Sequence, residues 1–162
     1  MIKLFIDTEF TTLDPGNKLI SIALVSENSD HFYAELTDTY KRKDCSDFVL
    51  NFVLPFLKGN KEYQMTEAEC ALKMTNWIEN HDCEFILACD NISWDLPHLK
   101  KLIDLTTVWP DNLSKDEYFK FGVIKDAAER IVLENNFDIH NALDDANAMM
   151  LAYKEGCIRE YR

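Results

Sequence analysis

The sequence predicts an α/β protein built on one mixed sheet flanked by helices, and two features of its apolar pattern carry that reading. Three short apolar runs separated by turn residues open the chain, at 2–7, 19–26 and 31–36, as in a three-strand antiparallel meander. Past residue 46 the pattern changes, and helix-period segments alternate with short apolar runs, the arrangement that joins parallel strands through helices. The length of 162 residues suits a single domain over 1–162.

The elements follow in order. Residues 2–7 (IKLFID) read as a buried strand, and Leu13-Asp14-Pro15-Gly16-Asn17 as a turn. A second strand covers 19–26 (LISIALVS), and a third, antiparallel to it, 31–36 (HFYAEL). Residues 46–58 read as helix interrupted at Pro55. Thr66 is the N-cap of a helix reaching Asn80, with Glu69 three places on to form a capping box. A fourth strand at 84–89 (EFILAC) precedes a short helix near 95–104. A fifth strand at 118–124, a helix at 125–134 and a last helix from 142 to 155 complete the chain.

Composition narrows the function classes. Hydrophobic residues at 47% and charged residues at 28%, with only 4 Gly and 4 Pro, exclude a disordered or linker-rich chain. The 5 cysteines include no Cys-x-x-Cys pair, which excludes a zinc ribbon or a thioredoxin-type motif. Cys83 and Cys89 read as buried thiols, and a reducing, cytoplasmic setting is expected. The first residues lack the apolar stretch of a secretory signal and no run approaches a membrane span, so no membrane partner is expected. A net charge of −12 argues against a broad basic face gripping long duplex. It leaves room for an enzyme that takes one strand end, where bound cations neutralise an acidic cluster. Lys41, Arg42 and Lys43, the one dense basic run, read as a solvated loop.

Three motifs carry the chemistry. In Asp7-Thr8-Glu9, two carboxylates share one strand face about 6.6 Å apart. Asp7 closes an apolar strand, where a buried carboxylate is costly unless a cation sits beside it. The second motif, Asp90-Asn91-Ile92-Ser93-Trp94-Asp95, follows the fourth strand at its carboxyl end, where open α/β sheets bind ligands. Ser93 reads as the helix cap, Asp95 and Pro97 fall in the first turn, and Trp94 reads as core. Asp90 rivals Asp95, and local physics does not separate them. In His140-Asn141-Ala142-Leu143-Asp144-Asp145, an N-cap at Asn141 puts Asp144 at the third helical position, close to a capping box. His140 and Asp145 then occupy the two positions that meet in a hydrophobic staple. A helix starting before His140 would instead turn them about 140° apart. The sum is four carboxylates and one histidine, an inventory for hard cations and a neutral base.

In this order the motifs resemble those of the DEDDh exonucleases, a branch of the ribonuclease H-like fold. Asp7-Thr8-Glu9 is similar to the family's Asp-x-Glu, Asn91-Ile92-Ser93-Trp94-Asp95 to its Asn-x-x-Phe-Asp, and His140 through Ala146 to its His-x-Ala-x-x-Asp-Ala. The resemblance selects Asp95 over Asp90 and the histidine branch over the tyrosine branch. It implies two Mg²⁺ or Mn²⁺ ions roughly 4 Å apart. Asp7 would bridge both ions, Glu9 and Asp145 would complete one site, Asp95 would hold the other partly through water, and His140 would be the general base. It further implies 3′→5′ release of nucleoside 5′-monophosphates from single-stranded RNA or DNA 3′ ends. The stretch DTEFT at 7–11 looks closer to compact bacterial exoribonucleases carrying Asp-Thr-Glu-Phe, which favours RNA. Trp94 stands where the family has Phe. Phe10, opposite Glu9 on a strand, reads as core. Two other readings remain open: a proofreading-type DNA exonuclease subunit and a catalytically inactive nuclease-fold binding module. A homodimer is a further candidate assembly.

Overall fold

Strand β1 (Ile2–Phe10) is the axis of a seven-stranded mixed sheet in a computed structural model that describes residues 1–161. β2 (Leu19–Ser26) and β3 (His31–Leu36) extend the sheet as the antiparallel meander, and β4 (Gln64–Met65) adds a parallel edge. On the other side of β1 lie β5 (Phe85–Cys89) and β6 (Leu113–Val123), both parallel, and then β7 (Ile158–Glu160), antiparallel. The strand order is β4-β3-β2-β1-β5-β6-β7.

The pleat of β1 divides the core. Leu4 and Ile6 join the cluster beneath helices α2 (Glu67–Glu79) and α3 (Ile92–Thr106), with Met74, Ile78, Leu99 and Leu102. Phe5 faces the opposite way, under helix α5 (Ala142–Lys154), with Ala142, Ala146 and Met149. Each of these large side chains contributes about 1.5–3 kcal/mol by leaving water. A smaller cluster of Ile20, Val49 and Val53 seats helix α1 (Asp47–Phe52). Helix α4 (Lys125–Asn135) precedes α5.

The capping box on α2 forms as its sequence spells it: Thr66 Oγ1 accepts from the Glu69 N–H at 3.3 Å, and the Glu69 carboxylate accepts from the Thr66 N–H at 2.9 Å. Pro55 does interrupt the segment after α1, which continues as a short 3₁₀ turn over Leu54–Phe56. Other expectations change. β1 continues through Phe10, so Asp7 lies inside the strand, paired with Ala23, rather than at its end. α3 starts at Ile92 with Asn91 as its cap residue, not at Ser93, because Ile92 and Leu96 extend the apolar stripe of Leu99 and Ile103. Pro97 therefore stands inside that helix, beyond the first turn. β6 starts at Leu113, and its pairing with β5 jumps from Phe85↔Leu113 to Leu87↔Tyr118, so the polar run 114–117 bulges out. Cys89 is buried as expected, whereas Cys83 is partly exposed; all five cysteines are free thiols. No helix among the described residues is long and apolar enough to cross a membrane.

Candidate active site

Parallel pairing of β1 with β5 brings two of the motifs side by side. The last pair is Phe5↔Ala88, and two residues further on stand Asp7 on β1 and Asp90 just past the end of β5. On β1, Asp7 and Glu9 share the parity of Phe5 and so belong to the α5 face, while Thr8 belongs to the α3 face. The Thr8 hydroxyl donates to Asp95 Oδ1 at 2.8 Å, fixing the first-turn carboxylate of α3 against the strand. From the other face, the N-terminus of α5 delivers Asp145, whose Oδ2 accepts from the backbone N–H of His140 at 3.0 Å.

Asn141 is the N-cap of α5: its Oδ1 accepts from the Asp144 N–H at 3.3 Å, and its Nδ2 donates to the Phe56 carbonyl at 2.8 Å. The turn before it closes through Asn141 N–H to the Asp138 carbonyl at 3.1 Å, and His140 takes the left-handed conformation at φ 65. Asp144 does not reach back to the cap as in a capping box. Its carboxylate accepts from the Asp138 N–H at 3.0 Å and from Lys58 Nζ at 2.6 Å. The outcome for His140 and Asp145 is the one the staple positions demand: ligand atoms of Glu9, His140 and Asp145 all lie within 4.8 Å of one another. Asp7 and Asp95 line the same cavity outside that group of three.

The electrostatics are those of negative charges crowded together. Burial, and then the charges of Asp145 and Asp95, push Glu9 up to about 8. Burial raises Asp145 to about 7 against the lowering effect of the His140 N–H, and raises Asp95 to about 7 against that of Thr8. Asp7 is raised well above the usual carboxylate range, first by burial and then by Asp95, Asp145, Glu9 and Asp90. The His140 imidazole is lowered by burial, which favours its neutral form. Near neutral pH four carboxylates of this kind do not all ionise without positive charge among them, and oxygen donors of this type fit hard divalent cations.

These groups lie in a cavity of about 1080 Å³ whose other walls are largely apolar, among them Phe48, Val132 and Leu133. Phe10 and Trp94 line it as a stacked pair, ring centroids 5.4 Å apart, and His98 stacks on Phe10 at 5.5 Å. Both aromatics are partly exposed, so the core reading of each is corrected: they form a wall of the site. Phe48 meets the His140 ring edge-on at 5.0 Å. Asp90, which the resemblance set aside, also lines the cavity. Sequence reasoning missed Thr8, Phe48, Lys58 and the α4 wall. Each is placed by contacts across the chain, and the only local signal was the position of Thr8 between two acids.

No protein-family model matches the chain, and a search of curated proteins finds no match. Solved structures do match. The nuclease domain of 3′hExo, a DEDDh family member bound to rAMP, superposes with a TM-score of 0.58 at 16% identity, covering 99% of this chain and 96% of that one. S. pombe Pop2p, in an Mg²⁺- and Mn²⁺-bound form, gives 0.58 at 15% identity, over 94% and 81%. E. coli exonuclease I in complex with a dT13 oligonucleotide gives 0.53 at 13% identity, over 95% of this chain but 40% of that longer one. The order and pairing of strands, the helices on both faces and these superpositions together give the chain the mixed α/β fold of these structures, among them the nuclease domain of a DEDDh family member.

Proposed function

We propose that the chain is a divalent-metal-dependent 3′→5′ exonuclease, a single domain over 1–162 that releases nucleoside 5′-monophosphates from single-stranded nucleic acid, with RNA favoured. The observation that carries this reading is the convergence of Glu9, His140 and Asp145 within 4.8 Å, in one cavity with Asp7 and Asp95. Asp7, Glu9, Asp95 and Asp145 would hold two Mg²⁺ or Mn²⁺ ions. When bound, such ions supply charge neutralisation at the phosphate and a lowered pKa for the attacking water.

The chain's own residues supply the rest. His140, its neutral form favoured by burial, takes the proton of the attacking water at a ring nitrogen. The Asp145–His140 N–H contact holds the imidazole beside Glu9 throughout. Thr8 keeps Asp95 facing the cavity. Phe10 and Trp94 offer an aromatic face for a terminal base. Preference for RNA rests on the Asp7-Thr8-Glu9-Phe10 spelling. The five free thiols suit the reducing, cytoplasmic setting included in this reading.

The test is release of mononucleotides from 3′-labelled single strands in Mg²⁺ or Mn²⁺. Asp7→Asn and His140→Ala should each lower the rate by about 10²–10⁴-fold with the circular dichroism spectrum unchanged. Full activity in both variants overturns the assignment. Matched RNA and DNA strands, compared by kcat/KM, test the substrate preference.

A further inference from the structure

The cavity walls include no Lys or Arg among the described residues. Cations bound by the acidic cluster would serve the scissile phosphate, yet phosphates further back along a strand would meet no positive charge there. The dense basic run lies outside the lining, a few residues ahead of cavity-lining Ser46 in the chain. Lys41, Arg42 and Lys43 are exposed and make no ion pair among the described residues. The adjacent acid, Asp44, is already taken by Lys18 Nζ at 2.7 Å and by the Lys41 N–H at 2.9 Å. The three positive charges are therefore left facing solvent.

This run is tied to the site. The Ser46 N–H donates to the Thr11 carbonyl at 3.0 Å, just past the end of β1, and Ser46 lines the cavity. Ser46 lies four positions after Arg42, a span of at most about 14 Å. An aromatic surface continues from the same place. Phe48, edge-on to His140, lies 5.3 Å from Phe52 one turn further along α1, and the two are 51% and 52% exposed. α1 buries only Val49, so its two phenylalanines stay half-exposed outside the core. Exposed rings with unpaired cations a few residues away along the chain are the groups that single strands bind without regard to sequence, bases on the rings and phosphates on the charges.

We propose that these groups form a rim that carries the part of the substrate upstream of the cleaved bond, with Phe48 and Phe52 stacking on bases and Lys41, Arg42 and Lys43 contacting phosphates. The inference rests on the nuclease reading and adds to it the substrate's size: strands several nucleotides long, held by a track outside the cavity.

The experiment measures fluorescence anisotropy of a 5′-labelled single strand of about eight nucleotides, with Ca²⁺ in place of Mg²⁺ and the strand verified intact. The triple variant Lys41→Ser/Arg42→Ser/Lys43→Ser should bind about tenfold or more weakly at low salt, and its slope of log affinity against log salt should shrink by about 2. Phe52→Ala should bind about tenfold more weakly. A control with the same charge change, Lys61→Ser/Lys73→Ser/Lys100→Ser, should stay within about threefold of wild type. A rim variant that binds like the control overturns the track and leaves the nuclease reading standing. A wild-type chain that binds through the rim but releases no mononucleotide overturns the nuclease reading alone. Equal losses in rim and control variants reduce the effect to overall charge and also overturn the track.

Discussion

At the residue scale, the site depends on how His140 is held. A non-glycine residue at φ 65 is uncommon, and here the surrounding bonds impose it: Asn141 closes the turn behind it, Asp145 accepts its N–H, and Lys58 with Asp144 pins Asp138 in front. Asn141 is fully buried and serves as cap and as tether to Phe56. Asn141→Ala removes the cap and leaves the Phe56 carbonyl without this donor, so urea denaturation should show a loss of about 1–3 kcal/mol. A loss below about 0.5 kcal/mol would mean that the turn is held by the other bonds alone. The sequence made the meeting of His140 with Asp145 legible, because cap geometry is local and needs only the N-cap to be placed. It could not show that Asp144 would leave the capping box for Lys58, eighty-six positions away.

At the scale of elements, α2 and α5 were legible, since their caps and apolar spacing agree. α3 was read short because Ser93 and Pro97 look like the start of a helix, while the apolar stripe that seats it begins at Ile92. Leu99 is fully buried at the middle of that stripe, between α3 and the sheet. Leu99→Ala should cost about 2–5 kcal/mol, read as a lower melting temperature, while a surface change such as Leu105→Ala on the same helix should cost far less. Equal effects would show that α3 does not pack on the sheet through this face. β4 and β7, two and three residues long, left no mark in the sequence. Strands that short exist only through the partner they pair with, so periodicity within the segment carries no signal for them.

At the scale of the whole molecule, the cluster links stability to pH and to metal. Unfolded carboxyl groups titrate near 4. In the folded, metal-free chain Asp95 and Asp145 stand at about 7 and Glu9 at about 8, so the folded form binds more protons across that window. Values raised on folding mean stability that is present at low pH and lost as pH rises from about 4 through 8. The melting temperature in EDTA should therefore be lower at about pH 8.5 than at about pH 6, and Mg²⁺ or Mn²⁺ should raise it most at the higher pH. A metal-free melting temperature that is flat across this range would show that folding does not raise these carboxylates, by burial or by mutual repulsion. The overall charge of −12 acts in the same direction, since self-repulsion grows as the acids ionise.

By itself the sequence determined the class of fold, the meander at its start, the order of the three motifs, and that Glu9, His140 and Asp145 belong to them. Periodicity, capping and spacing are properties of neighbouring residues, and they survive in the one-dimensional string. Only the tertiary structure decided that Asp90 shares the cavity with Asp95, that Phe10 and Trp94 form a wall instead of core, and that Lys58 braces the His140 turn. Each of those depends on strand register and on helix seating across the sheet, where residues far apart in the chain come within a few ångströms and no local pattern records it.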